Sequence, residues 1–203
     1  MWLVLAAALA AVPDGVRPVI APVDAPERFA TWAAARFEQP PTLSCRPLVP
    51  DQLLVCFRLR TGESRRWVHS DDLKHWSVTE DELAIEVARR AGEHLKTSGS
   101  WTAIEGTPDR YWQAAEGDGW EAALFLRPKL ARQHLGATPL LAAAPNVGVV
   151  VAWRGGQPDI DTIMGVGIRE MYDKQGQRVS PLLFQWDGRR WGVFAEVKAS
   201  ATP

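Results

Sequence analysis

A glycine-bearing turn followed closely by tryptophan occurs three times in the chain, in TGESRRW (61–67), EGDGW (116–120) and DGRRW (187–191). Such turns reverse the chain between antiparallel strands, because glycine and aspartate accept the positive φ that matches strand twist. The intervals between them are unequal, so they read as three hairpins and not as a repeat of fixed period. DGRRW is the strongest of the three. With Asp187-Gly188 as a two-residue turn, Phe184 stands opposite Trp191 and Trp186 shares their face. Leu182 and Val193 extend that face, while Gln185 and Arg190 fall on the other. The two arginines and the aspartate between tryptophans therefore mark the bend of a hairpin in preference to a ligand clamp. The ten tryptophans among 203 residues decide nothing alone, since tryptophan enriches cores and binding surfaces alike.

The rest of the pattern adds helices to this sheet. In SVTEDELAIEVARRAGEHL, Thr79 and Glu82 form a capping box, and Val78 and Leu83 occupy the staple positions. Leu83, Val87, Ala91 and Leu95 then recur on one face, with the arginines and glutamates expected to point outward. A second helix is expected in PDIDTIMGVGIREMYDKQG, where Ile160, Ile163, Met164, Gly167, Ile168 and Met171 line a core-facing stripe and Gly176 ends it. A short N-terminal helix, ERFATWAAARF, puts Phe29, Trp32, Ala33 and Phe37 on one face and stops at Pro40-Pro41. Strands are expected over 42–49, 52–60 and 65–69, with Pro47 placing the first at an edge. YWQAAEGDGWEAALFL reads as a hairpin about Asp118-Gly119, RPKLARQHLG as a short helix ended by Gly136, and TPLLAAAPNVGVVVAW as two apolar strands broken near Pro145-Asn146. The sum is an α+β fold: a mostly antiparallel sheet built from hairpins, two main amphipathic helices packed on it, and a short N-terminal helix.

The N-terminal apolar run, Trp2 to Val12, is shorter than the ~20 residues a bilayer span needs. It fits the apolar region of a secretory signal over 1–12, with Ala8 and Ala10 ahead of a cleavage point, although no basic residue precedes it. Residues 13–26, with four prolines, read as an extended linker, and 27–198 as a single α+β domain. The expected location is secreted or periplasmic, with a cytoplasmic protein carrying a buried N-terminal helix as the alternative. Pairing about Pro50-Asp51 sets Cys45 opposite Cys56, the only two cysteines. A strict two-residue turn would hold their α-carbons ~5.5 Å apart, which permits a disulfide without requiring one. Two buried thiols are the other reading.

Several of these pieces resemble an uncharacterised bacterial family best known from Bacillus and its relatives. HWSVTEDELAIEVARRAGEHL, EGDGWEAALFL and LLAAAPNVGVVVAW match that family's order of parts over roughly residues 65–195. The resemblance implies an α+β fold and no particular activity. The family's helix asparagine falls on Ala91 and its aspartate after the strand-breaking proline on Gly148, so a polar family site there would be lost in this chain.

The chemistry-bearing signatures are few. There is no P-loop, G-x-S-x-G elbow, HExxH or CxxC. Gly165 to Gly167 lie within the expected helix, where Gly167 would let it approach the sheet closely. HSDDLKH gathers His69, Asp71, Asp72 and His75; six-residue spacing would let imidazoles and carboxylates share a metal, with His69, Asp71 and His75 as candidate ligands. The plainer reading is a short helix capped by Ser70 or Asp71, and no cofactor. Asp159 and Asp161 suit a helix's first turn. A net charge of -1 gives no global attraction to nucleic acid. The sequence therefore favours a non-catalytic extracytoplasmic binding or accessory domain for an unidentified protein or small ligand, without a membrane span in the mature chain. An enzyme built on His69, Asp71, Asp72 and His75, and a structural or assembly subunit, are the alternatives.

Overall fold

A computed structural model describes residues 12–96, 100–103, 110–113, 119–136, 139–174 and 176–196. Along the chain run β1 (Val16–Pro22), α1 (Ala25–Ala34), β2 (Cys45–Val49), β3 (Leu53–Thr61), β4 (Ser64–Trp67), α2 (Ser70–Trp76), α3 (Glu80–His94), β5 (Ser100–Ala103) and β6 (Arg110–Gln113). They are followed by α4 (Ala123–Leu126), α5 (Pro128–Leu135), β7 (Leu140–Asn146), β8 (Val149–Arg154), α6 (Pro158–Lys174), β9 (Leu182–Trp186) and β10 (Trp191–Glu196). The fold is α+β with antiparallel pairing throughout. In the first sheet β3 is central, with β1 on one side and β2 and β4 in succession on the other; the second has the order β10-β9-β7-β8-β6-β5.

The second sheet is covered on both faces, which is why β7 and β8 read as continuous apolar runs. Leu141, Ala143, Val151, Trp153 and Leu183 meet Ile160, Met164 and Ile168 of α6. Leu140, Ala142, Val150, Ala152 and Phe184 share one core with α3, α4, Trp191 and the inner face of the first sheet (Val16, Ile20, Leu53, Phe57). The sheets thus belong to one packed body.

α3 forms where the sequence places it. Glu82 N–H donates to Thr79 Oγ1 at 3.2 Å and Thr79 N–H to Glu82 Oε2 at 2.8 Å, and Leu83, Val87 and Ala91 are fully buried. Glu86 departs from the expected outward set: its carboxylate is buried and held by both Arg89 and Arg90 (2.7 Å each). Arg90 also donates to the carbonyls of Val12 and Pro13, which ties the start of the described chain to this helix. α5 ends on Gly136 in the left-handed conformation, φ 58°.

Three expectations are corrected. The 13–26 linker is instead β1, paired along its whole length with β3, so the domain begins by Val12, itself buried in the core. Gly15 carbonyl accepts from Arg60 N–H, so by alternation Arg17, Val19 and Ala21 hydrogen-bond to β3, while Pro18 and Pro22 direct their missing N–H to the free edge. Residues 1–11, where a leader is expected, lie outside the described residues. The hairpin expected about Asp118-Gly119 has its turn residue Asp118 outside the described residues; among the described ones β6 pairs with β5 and β8, and WEAALFL enters α4 in place of a strand. In α6, Ile160, Met164 and Ile168 face the sheet but Ile163 is half exposed, and a side chain at Gly167 would meet nothing.

The DGRRW hairpin forms with its register moved by two residues. Asp187 Oδ1 accepts from the N–H groups of both Arg189 and Arg190 (2.7 and 2.8 Å), which favours a four-residue loop over a two-residue turn. Trp191 therefore pairs with Trp186, and Val193 with Phe184. An even shift leaves every side chain on its expected face, so Trp191 is still buried, but Val193 beside the β-bulge is half exposed. The second Gly-Trp turn that forms is TGESRRW, joining β3 to β4.

Candidate functional site

The outer face of the first sheet carries most of the described arginines that gather in one place. Antiparallel pairing sets Arg17 directly opposite Arg58, and Arg60 directly opposite Arg65. Like charges in direct register are unfavourable in a sheet, so packing alone gives no reason for the arrangement. Arg58 lies over the Trp67 ring at 4.0 Å, and Arg17 over Trp120 at 4.6 Å. Burial, and then the charge of Arg65, pull the Arg58 guanidinium below its usual range, while Glu121 opposes them. These four arginines and Glu121 line a small cleft of about 130 Å³.

Through Arg65, Val147 and Gln177 this cleft continues into a much larger groove of about 870 Å³. One wall is α1 and the loop after it. The expected aromatic helix ends early, at Ala34, so Phe29, Trp32 and Ala33 lie on α1 and Phe37 in the loop after it; of the four only Ala33 is buried, and Trp32 is 46% and Phe37 45% exposed. Phe29, Trp32 and Phe37 instead touch one another along the groove, with centroids 5.5 and 6.0 Å apart, and Phe29 stacks on His69 at 6.5 Å. The other wall comes from β4 and the segment 176–178. Four arginines line the groove, Arg28, Arg65, Arg66 and Arg178, and no carboxylate is among its described lining residues. Their acidic partners stand behind them: Arg28 pairs with Asp24, and Arg66 makes two 2.6 Å hydrogen bonds to Asp72. Arg178 donates to the Asp173 carbonyl and lies over the Tyr172 ring.

The HSDDLKH residues are distributed by this geometry. Burial would raise the Asp72 carboxyl, but the hydrogen bonds from Arg66 and from His69 N–H hold it below the usual carboxylate range. Asp72 thus closes the N-terminus of α2, a role expected of Ser70 or Asp71, and its backward bond to His69 N–H is 3.1 Å. Asp71 pairs with Lys74, and His75 is exposed near the other end of the helix. His69 alone lines the groove, and among the described residues no three His, Cys, Asp or Glu side chains are grouped to hold a metal ion. Asp161 does more than complement a helix terminus: it accepts from the buried Trp153 Nε1 at 2.9 Å and from Gly156 N–H at 3.0 Å. Cys45 and Cys56 pair across β2 and β3 and are joined in a disulfide, with α-carbons 4.0 Å apart. That is closer than a strict two-residue turn gives, because the strand pair carries a bulge between Pro47 and Val49.

The groove was not legible as a site. Its arginine signal lies in RLRTGESRRW, where strand alternation puts Arg58 and Arg60 on one face and the turn returns Arg65 beside them. Arg17 was hidden in the supposed linker. Ala91 is buried in the core and Gly148 lines the small cleft. No helix among the described residues is long and apolar enough to cross a membrane. No family model, curated protein or solved structure matches the chain.

Proposed function

We propose that this chain is a non-catalytic binding domain that works outside the cytoplasm and receives an anionic, partly apolar ligand in the groove between α1 and β4. The observation that carries this reading is the Phe29–Trp32–Phe37 cluster, exposed at Trp32 and Phe37, facing arginines across an 870 Å³ groove. A groove of this size is in the range that small ligands occupy, with aromatic area for affinity and a few charged groups for orientation. The Cys45–Cys56 disulfide supports an oxidising compartment, and the apolar run before Val12 supports export, with processing ahead of Val12. Kinship with the Bacillus family rests on the shared motifs alone and adds no activity.

Thermal melts with three classes of anion test the reading: single-chain carboxylates, leucine-bearing oligoglutamate peptides and sugar acids. At least one class should raise the melting temperature of the wild type and not that of Trp32→Ala. No shift from any class, or equal shifts in the variant, would overturn it.

A further inference from the structure

The groove is divided by polarity along its length, and the division follows the strands. On β1, Arg17 and Val19 line the small cleft and Ala21 lines the groove; four residues of strand carry the lining about 13 Å from a cluster of guanidiniums to hydrocarbon. At the far end the lining is Ala21, Ala25, Phe29, Trp32, Phe37 and Leu43, with the His69 ring stacked on Phe29 as its one imidazole. Arg28 is the only charged group contributed by α1, and it is paired with Asp24. At the near end stand Arg65, Arg66 and Arg178, with Gln177.

This division discriminates between kinds of anion. A peptide or a sugar carries polar groups along its whole length, and at the aromatic end only Arg28, already paired with Asp24, and His69 could meet them, so most would be taken from water at a cost for each group. An alkyl chain has no such groups. A ligand with one anionic end and a hydrocarbon tail satisfies both ends at once. We propose that the groove takes a single-chain anionic amphiphile, a free long-chain carboxylate. Its head lies by Arg65 and Arg178, and its chain lies along Phe29, Trp32 and Phe37. The arginines present planar donors suited to a carboxylate, and Trp32 and Phe37, 46% and 45% exposed, supply apolar area for the chain.

The proposal rests on the binding reading, and the test separates the two. Octanoate, decanoate and dodecanoate are titrated calorimetrically into the full chain below their micelle concentrations, beside acetate, dodecyltrimethylammonium and a leucine-bearing oligoglutamate peptide. One site per chain is expected, with affinity rising roughly tenfold for each two methylenes and no binding of acetate or of the cationic amphiphile. Trp32→Ala, at a half-exposed position that the core does not need, should weaken dodecanoate at least tenfold with an unchanged circular dichroism spectrum. Arg178→Gln should weaken all three carboxylates by a similar factor and leave the chain-length dependence intact. No dodecanoate binding, no dependence on chain length, equal binding of the cation, or an unaffected Trp32→Ala would each overturn the amphiphile. Binding of the peptide alone would overturn it while leaving the binding domain standing; binding of no anion would remove both.

Discussion

Replacing Trp191 by alanine tests the packing that holds α4 onto the second sheet. The indole is 3% exposed, its centroid lies 4.7 Å from Phe125 and 5.6 Å from Trp186, and its Nε1 donates to the Phe125 carbonyl at 2.9 Å. Deleting a buried Trp or Phe ring costs about 3–5 kcal/mol through lost transfer energy and the cavity left behind. The Phe125 carbonyl also loses its donor, which belongs to the same measured change. For a chain of this length 1 kcal/mol moves the melting temperature by about 2–4 °C, so Trp191→Ala should melt roughly 6–20 °C below wild type. Trp191→Phe separates the two contributions: it keeps most of the ring and removes the hydrogen bond, so it should fall between. Arg190→Ala, next in sequence but 87% exposed in its side chain, should stay within about 0.5 kcal/mol of wild type. Thermal melts followed by circular dichroism, under conditions that keep the disulfide intact, supply the measurement. A Trp191→Ala variant that melts with the wild type would refute the reasoning, because it would mean that the hairpin rings are not core.

Glu86 makes stability depend on acid. Hydrogen bonds from Arg89, and then from Arg90, outweigh burial and hold its carboxyl at about 2, against an ordinary 4.5. A depressed folded-state pKa contributes stability that is fully present above the unfolded value and is lost as pH falls from about 5 towards 2. Glu86→Gln should therefore lose less stability than wild type over that interval in urea melts, and a parallel decline would contradict the assignment. Asp161→Ala leaves the buried Trp153 indole N–H without its acceptor and should cost about 1–3 kcal/mol; no change on melting would show that the bond matters little. Cys45→Ser with Cys56→Ser opens a short loop, of sequence separation 11, and should cost about 2–3 kcal/mol, with the wild type alone sensitive to reductant.

What the sequence disclosed follows the range over which each feature is determined. The capping box of α3 and its four-residue spacing are local, and they formed as read. The faces of the DGRRW hairpin survived even though its turn did not, because Asp187 lengthened the loop by an even number of residues. Long-range facts were less accessible. The prolines of 13–26 read as a linker until β3 was known to bond only the alternate residues between them. WEAALFL is made of good helix formers, and the glycine-aspartate pair ahead of it masked α4. Glu86 looks like any outward glutamate until two arginines enclose it. Phe29 and Trp32 do share one side of α1, but the helix stops at Ala34, and nothing in the spacing says that Trp32, or Phe37 in the loop beyond, meets a groove in place of a core.

That last point carries the central claim, that α1 and the loop after it present their rings to a ligand and not to the fold. The measurement that tests it most directly is the melting temperature of the Trp32→Ser/Phe37→Ser double variant, alone and with dodecanoate. The account predicts a ligand-free melt within a few degrees of wild type, since exposed substitutions change stability by about 0.5 kcal/mol each, together with loss of the ligand-induced rise. A ligand-free melt lowered as far as that of Trp191→Ala, or a ligand-induced rise that persists in the variant, would contradict it.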